Sequence, residues 1–429
     1  MLDLILSLLL LFSPFERLPT WQLFGVDIRF TTALGLLLVL WLAALALRKK
    51  FDCKFGAPEY LVLALLMLAW LSLIYAPDKP STIIAAGSLT FTAVVGLAVG
   101  QLLRKPSRWP EARKMLLLVL LGLVVVGFWQ FWAATWGLSD QLTFLAPQYD
   151  KLALGYPRIQ GFSKEPLYFA NFLLFLLPLP LLSWFSARAK DSRLGYLLLG
   201  LGGLVVFLLP IARSANLAFV GAFLITLLAT LLVTKQPAKW IGWLLAAILG
   251  SVLLTAGSFA LADALPESHG LLHTGSTNHS QALDLFLLRD VKSSESGQRR
   301  LETMREALRL GREHPWLGVG MGNFGSQANI IPTPYENGHP VVNNLYLELL
   351  SELGFVGLGL ALVLFFVLLR DLWLKLRQTR SRIEQAEGLW LLFAFLGTLF
   401  QYLFFSTFYI LPVWIMLGFV RGYALRETE

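Results

Sequence analysis

The chain has 429 residues, of which 56% are hydrophobic and 14% are charged, and its mean hydropathy is +0.66. This composition excludes an ordinary soluble domain and predicts a polytopic membrane protein. The formal net charge is +8, and the positions of the basic residues account for it without nucleic acid as a partner.

Twelve apolar runs are suited to crossing a bilayer, for which a helix needs roughly 17–25 residues. Helices are expected because a backbone in lipid must pair its own polar groups. The first run is short, so a re-entrant piece or a signal-like apolar segment stays open for it, although no small-residue cleavage site follows it. We therefore predict an all-α polytopic protein. The predicted spans are 2–13, 30–47, 58–75, 81–103, 114–136, 166–186, 194–211, 213–233, 239–261, 342–369, 387–407 and 409–424.

Lysine and arginine set the predicted orientation, because they accumulate in cytoplasmic loops. With the N-terminus inside, 21 of the 35 basic residues lie in cytoplasmic segments, so the positive charge is mainly a topogenic signal. Both termini are then cytoplasmic. These segments are 48–57, 104–114, 187–193, 234–239, 370–386 and 421–429.

The predicted organisation has nine spans in residues 1–261, an extracytoplasmic loop over 262–341 and three spans in 342–429. This loop holds every histidine of the chain, which places the active side outside. A zinc site stays open as a minor alternative, but the turn-rich surroundings lack carboxylates at ligand spacing, so we expect no metal and no cofactor. The single cysteine excludes a disulfide within the chain. The histidines are His269, His273, His279, His314 and His339.

Within the loop, SSESGQRRLETMREALRLGREHP predicts an amphipathic helix. Its arginines suit phosphate oxygens, because a guanidinium presents a planar fork of donors. A solvated face with Glu–Arg pairs is the alternative for any single arginine. The following HPWLGVGMGNFG predicts a tight glycine turn close to another group. A dinucleotide-binding loop is rejected there, because no strand precedes it.

Arg158, Arg213 and Glu165 lie at predicted outer boundaries of spans. A charge at mid-membrane costs roughly 2.5–3.5 kcal/mol on insertion scales, so an ionised residue near that depth is a functional candidate. Snorkelling to the interface is the alternative for both arginines. A first-turn charge favoured by the helix dipole is the alternative for Glu165.

The span after the loop starts with polar residues in HPVVNNLYLELLSELGFVGLG. Asn344, Glu348 and Glu352 recur every four residues and therefore share one helix face. That face must look into the protein or a wet cavity, because lipid cannot pair polar groups. The helix N-terminus points outward and favours an anion there.

These motifs resemble the O-antigen ligase and O-antigen polymerase superfamily of bacterial membrane glycosyltransferases. The resemblance covers most of the chain, through twelve spans, a large late external loop and four local matches. It implies a GT-C-like arrangement. The matches are ARSANLAF with Arg213, SGQRRLETMREAL with Arg299 or Arg300 at the motif arginine, HPWLGVGMGNF, and NNLYLELLSELGFVGL with its motif glycine at Gly354.

One departure bears on the activity. Where ligases carry the histidine of a His-Asn pair, this chain has Asn343, and the nearest histidine is His339. RIQGFSKEP, which contains Arg158 and Glu165, fits an element of polymerase-like members. The resemblance therefore favours an O-antigen or exopolysaccharide polymerase, with a ligase acting on lipid A-core as the alternative. A lipid flippase or transporter is a remote alternative, because no repeated halves are visible.

The resemblance implies inverting, metal-independent transfer at the outer face of the bacterial inner membrane. The implied partners are undecaprenyl-pyrophosphate-linked glycans as donor and acceptor and the membrane lipids, and a chain-length regulator is a further candidate. Glu165 is the first choice of general base and His339 the second. The predicted pyrophosphate-binding residues are Arg158, Arg213, which is also a catalytic candidate, Arg299, Arg300 and Arg305. The predicted supporting residues are Asn343, Asn344, Glu348 and Glu352.

Overall fold

The computed structural model describes residues 2–17, 20–23, 26–146, 152–153, 156–186, 190–234, 237–263, 295–331, 340–406 and 408–427. These residues are mostly helical, and the strands among them form two short antiparallel hairpins. In chain order, the first half contains α1 (Leu2–Phe12), β1 (Thr20–Leu23), β2 (Val26–Arg29), α2 (Phe30–Leu47), α3 (Ala57–Leu71), α4 (Lys79–Leu102), α5 (Trp109–Thr135), α6 (Asp140–Thr143), β3 (Leu152–Ala153), β4 (Tyr156–Pro157), α7 (Pro166–Leu176) and α8 (Leu179–Ser186). The second half contains α9 (Lys190–Leu208), α10 (Arg213–Val233), α11 (Pro237–Asp263), α12 (Glu295–Glu313), α13 (Phe324–Gln327), α14 (Leu345–Gln378), α15 (Arg382–Gln401) and α16 (Leu411–Ala424).

Eight helical segments among the described residues are long and apolar enough to cross a membrane, and four further apolar helices are shorter. Together they correspond to the twelve predicted spans, so the prediction of an all-α polytopic membrane protein is confirmed. The four shorter segments are Leu2–Phe12, Arg193–Leu208, Ile248–Ala262 and Leu411–Ala424.

Two predicted spans differ in detail from the structure. The span predicted over 166–186 is divided between α7 and α8, and Pro178, which cannot continue a helical ladder, lies at the division. The span predicted over 342–369 extends to Gln378 and is interrupted inside the helix at Gly354, whose φ is 64° and ψ −165°. This backbone region is open essentially to glycine alone.

The interruption of α14 is filled by the glycine turn that precedes it in the chain. Below the break, the carbonyls of Ser351 and Glu352 accept hydrogen bonds from the N–H groups of Val319 and Gly320, both at 2.9 Å. Above it, the N–H of Phe355 donates to the carbonyl of Pro315 at 2.7 Å. A broken helix at membrane depth requires such replacements. The glycine turn over 314–324 therefore supplies hydrogen bonds that α14 lacks at its interruption.

α4 and α16 cross at very close range. Gly96 and Gly100 of α4 face Gly418 and Gly422 of α16, and a Cβ atom at Gly96 or Gly418 would collide with the backbone of the other helix. Small residues spaced four apart allow this approach in membrane helices. The two helices therefore pack with their backbones in direct contact.

Four of the six segments predicted to be cytoplasmic, 48–57, 104–114, 370–386 and 421–429, contact one another at one end of the molecule, which we call the basic end. Arg104 contacts both the carbonyl of Asp52 and the carboxylate of Glu427, and Arg421 contacts Asp371. α12 and the start of α10 lie at the other end, which we call the loop end. The shared position of the basic segments agrees with their prediction as one side of the membrane.

Candidate functional site

Arg213 is the first residue of α10, directly after a tight turn. The turn contains Ile211 at φ 53°, a left-handed conformation that a β-branched residue rarely adopts. Such a conformation costs on the order of 1–3 kcal/mol and persists only when its surroundings impose it. The turn presents Arg213, which is half-buried, at the loop end. Its Nη1 is buried and has no hydrogen-bond partner among the described residues.

Arg158 and Glu165 lie on one segment between β4 and α7. Arg158 is half-buried, and Glu165 is the N-cap residue of α7 with an extended backbone. Gln130 of α5 holds the segment between them: its Oε1 accepts from the N–H of Gly161 at 2.8 Å, and its Nε2 donates to the carbonyl of Gly161 at 2.9 Å. The two charged side chains are therefore presented from a fixed backbone.

Arg300 of α12 brings these groups together. Burial lowers the pKa of the Arg300 guanidinium below its ordinary value, and the positive charges of Arg213 and then Arg158 lower it further, while the charge of Glu165 opposes them. Charges act in this way only when the groups are close. Three arginines and one glutamate from three separate parts of the chain therefore form a cationic cluster, which we define as Arg158, Glu165, Arg213 and Arg300.

The structure distinguishes Arg300 from its neighbour Arg299. The guanidinium of Arg299 donates to the carbonyl of Ile331 at 2.6 Å and to Glu302 at 3.0 Å, so it holds loop backbone. Arg305, which was predicted to bind pyrophosphate, is exposed on the same helix. The charges of Arg158 and Arg213 act on Arg300.

The polar face at the start of α14 is occupied by internal partners. Asn344 is the N-cap: its Oδ1 accepts from the N–H of Leu347 at 3.0 Å and its Nδ2 donates to the carbonyl of Leu403 at 2.9 Å. Glu352 accepts from the N–H groups of Gly322 at 2.8 Å and Phe324 at 3.2 Å. Its carboxylate therefore fastens the glycine turn.

Glu348 is also buried on this face, one helical turn before Glu352. The hydroxyl of Tyr409 donates to Glu348 at 3.0 Å and approaches Glu352 at 3.4 Å. The expectation that the polar face looks into the protein agrees with this burial. Both glutamates contact protein groups that hold the loop end together.

An excess of positive charge in a half-buried site is suited to an anion with several oxygens, because charge-assisted hydrogen bonds from guanidinium to phosphate are short and strong. The cationic cluster also contains one carboxylate, that of Glu165, whose charge acts on Arg300. Within the part of the chain that the structure describes, no group of three His, Cys, Asp or Glu side chains could hold a metal. The histidines at 269, 273, 279 and 339 lie outside the described residues.

Residues 178–362 match the family model described as O-antigen ligase. This part of the chain, 185 of its 429 residues, is similar to the O-antigen ligase family. The match supports the predicted resemblance to the O-antigen ligase and polymerase superfamily, whose members are glycosyltransferase-like enzymes. No curated protein sequence matches the chain. The matched segment contains Arg213, Arg300, the glycine turn and the interrupted part of α14, whereas Arg158 and Glu165 precede it.

The position of the ligase-type histidine is occupied by Asn343, just before the first turn of α14. Asn343 is half-buried, and its Nδ2 contacts the carbonyl of Val341 at 3.4 Å. An amide has no ionisable proton in the ordinary pH range, so Asn343 cannot act as the acid or base that a histidine provides. Asn343 therefore departs from the histidine that the resemblance to the ligases predicts at this position.

An apolar groove opens between α8, α9, α10 and α15. Its α10 wall runs from Phe219 to Thr230, which lie about 9 and 25 Å along the helix axis from Arg213. The groove suits hydrocarbon rather than charged groups.

Three residues at the loop end escaped prediction from the sequence. Gln130 and Tyr409 are single polar residues in apolar surroundings, and Glu16 is a buried charge just after α1. The sequence feature that could have pointed to Glu16 is a charged residue directly after an apolar helix. The partner of each lies far away in the sequence, so no local pattern identifies what it holds.

Proposed function

We propose that the protein is a polysaccharide polymerase that joins undecaprenyl-pyrophosphate-linked repeat units at the outer face of the inner membrane. The general ligase or polymerase type of activity is that of the family. The observation that carries the finer proposal is the cationic cluster, in which the charges of Arg213, Arg158 and Glu165 act on Arg300.

In the proposed reaction, an acceptor sugar hydroxyl attacks the anomeric carbon of the donor. The new glycosidic C–O bond forms while the bond from that carbon to the pyrophosphate oxygen breaks, which inverts the anomeric centre. The hydroxyl proton passes to Glu165, and the electron pair leaves with undecaprenyl pyrophosphate. A correctly placed base contributes roughly 10²–10⁴ in rate.

The arginines stabilise the charge that develops on the leaving pyrophosphate. Removing one preorganised donor from such a site typically costs about 10²–10³ in turnover. We assign this role to Arg158, Arg213 and Arg300. Arg305 stays a prediction for a peripheral contact, and His339 stays the second choice of base. No metal is required by this scheme, because fixed cations supply the electrostatic stabilisation.

The choice of polymerase over ligase rests on two features. Asn343 replaces the histidine with which ligases engage their acceptor, and the RIQGFSKEP segment supplies two members of the cationic cluster. In a polymerase, donor and acceptor both carry pyrophosphate. Two such groups would account for several cations at the loop end. A chain-length regulator is a further proposed partner.

The test is an assay with purified protein and lipid-linked repeat units as the sole substrate. Longer lipid-linked chains support a polymerase, whereas product that appears only after addition of lipid A-core indicates a ligase. An Arg213→Ala, Glu165→Gln double variant is the matched control for the chemistry. Lipid translocation that persists in this variant, without any polymer from the unsubstituted protein, would establish the flippase alternative.

A further inference from the structure

The short segment between α1 and β1 contacts the segment that carries Arg158 and Glu165. The N–H groups of Glu16 and Arg17 both donate to the carbonyl of Phe162, at 3.2 Å each. The ring of Phe15 stacks on that of Phe162 with centroids 4.6 Å apart. An N-terminal element is therefore joined to residues nearly 150 positions later in the chain.

The side chain of Glu16 makes the contact nearest to the cationic cluster. Its carboxylate is buried, and Oε2 accepts a hydrogen bond from the N–H of Lys164 at 3.1 Å. Lys164 directly precedes Glu165, the N-cap residue of α7. The hydrogen bond that Lys164 donates to Glu16 thus fixes the Ser163–Lys164 peptide, one residue before Glu165.

A buried carboxylate is costly unless its surroundings compensate it. Burial raises the pKa of Glu16, and the Lys164 N–H and the charges of Arg29 and Lys164 oppose this, while the charge of Glu165 adds to it. An amide or a hydroxyl would satisfy the same backbone N–H at lower cost. The hydrogen bond to the Lys164 N–H therefore needs an oxygen acceptor at position 16 and does not need a charge there.

The backbone at Gly161, before Lys164 in the same segment, is also held by side-chain hydrogen bonds. Arg17 Nη2 donates to the carbonyls of Phe144 at 2.7 Å and Gly161 at 2.8 Å. Gln130 binds both backbone groups of Gly161, as described above. The backbone over 160–164 is therefore clamped at both ends, and Glu16 is the clamp on the Glu165 side.

We propose that Glu16 is a positioning residue of the candidate site, which holds the backbone N–H of Lys164 so that Glu165 faces Arg213 and Arg300. This inference rests on the proposed function for its catalytic consequence. The placement of the segment is a separate, structural part of it. Glu16 itself acts through the 160–165 backbone and not on the substrate.

The first experiment measures placement without any assay of activity. Spin labels at Lys164→Cys and Arg312→Cys, in a Cys53→Ser background that removes the single native cysteine, report the distance between the 158–165 segment and α12. We expect a narrow distribution with Glu16 present, a broad one for Glu16→Ala, and a narrow one for Glu16→Gln, which retains an oxygen acceptor for the Lys164 N–H.

Gln101→Ala is the matched control for this measurement. Gln101 is also buried, and it also accepts a hydrogen bond from a lysine N–H, that of Lys54, but at the basic end. Its loss should leave the distance distribution between positions 164 and 312 unchanged. A distribution equally narrow in Glu16→Ala and in the reference protein overturns the proposal.

The second experiment measures turnover of lipid-linked repeat units. We expect Glu16→Ala to lower turnover by about a hundredfold, because small misplacements of catalytic groups cost that much, and Glu16→Gln to recover most of it. In a Glu165→Gln background, Glu16→Ala should have little further effect, since it acts through Glu165. Losses that multiply instead, or full turnover in Glu16→Ala, overturn the positioning role.

The two experiments separate failure of this inference from failure of the proposed function. If the reference protein makes no polymer from repeat units while the spin-label distances change as expected, the polymerase proposal fails and the placement by Glu16 stands. If polymer forms normally while the distance distribution between positions 164 and 312 is the same with and without Glu16, the placement by Glu16 fails and the polymerase proposal stands.

Discussion

The two ends of the molecule use arginine in opposite ways. At the basic end, Arg421 is buried and forms a two-pronged ion pair with Glu59, at 2.7 and 2.8 Å, and a further pair with Asp371 at 3.1 Å. At the loop end, the group of charges that act on Arg300 contains two further arginines and one glutamate.

The difference shows how placement decides the role of a side chain. A buried cation with two carboxylates is complete within the protein and holds helices together. A cluster with more cations than carboxylates is electrostatically unfavourable until an anion enters it. The comparison supports a structural role for Arg421 and the proposed binding role for the cationic cluster.

The largest expected effect is on turnover. Arg213→Ala, Arg158→Ala and Arg300→Ala should each abolish detectable elongation, a loss of at least about 10²–10³, while the protein still inserts and expresses. Arg299→Ala, at the neighbouring position, should lose far less, because that guanidinium holds the Ile331 carbonyl. Initial rates on lipid-linked repeat units check this. Equal losses at positions 299 and 300 would contradict the assignment.

The converse is expected at the basic end. Arg421→Ala leaves Glu59 buried without its main partner, which typically costs about 3–5 kcal/mol. We expect a large drop in the thermal unfolding temperature in detergent, with near-normal turnover per folded molecule. Unchanged stability combined with lost turnover would remove the distinction between the two ends.

An intermediate effect is expected where α14 is interrupted. Gly354→Ala forces a side chain into a glycine-only conformation and into the backbone of Trp316, which costs on the order of 1–3 kcal/mol for the conformation alone. Gly359, in the same helix, has open space around it, so Gly359→Ala is the matched control and should be neutral. Thermal unfolding of both variants checks this, and equal effects would show that the interruption is unimportant.

The smallest effect concerns pH and α12. A hydrogen bond from Arg309 lowers the pKa of Glu306 below its ordinary value. A depressed carboxylate pKa gives stability that is present above the unfolded-state pKa and is lost as the pH falls through the folded-state pKa. Near neutral pH, we expect the free energy of unfolding of the unsubstituted protein to exceed that of the Glu306→Gln variant by less than about 1 kcal/mol. That difference should vanish in acid, as followed by thermal unfolding.

Much of the fold could be predicted, because an apolar run of membrane-spanning length has few alternatives in a bilayer. The interruption at Gly354 could not be, since a glycine within an apolar run is compatible with an intact helix. Its signal lies in the separate glycine turn that supplies the missing hydrogen bonds. Pro178, by contrast, was a visible reason to expect two helices where one was predicted.

The candidate site was predictable in residue type but not in detail. Arg158, Arg213 and Glu165 stood out as charges at span boundaries, and the structure brings them to Arg300. The choice between Arg299 and Arg300 depends on about 100° of helix rotation, which the pattern around two adjacent arginines does not fix. Glu16 could not be linked to Lys164 because 148 residues separate them.

The close crossing of α4 and α16 bears on how the protein is made. One partner is among the earliest spans to leave the ribosome and the other is the last helix described, and each offers the other a surface of bare backbone. Segments enter the membrane in the order of synthesis. α4 is therefore inserted before α16 is made, and it lacks this packing partner until then. Packing of α4 is thereby coupled to the synthesis of residues 411–424, and a nascent product that stops before them leaves the glycine surface of α4 without its partner helix.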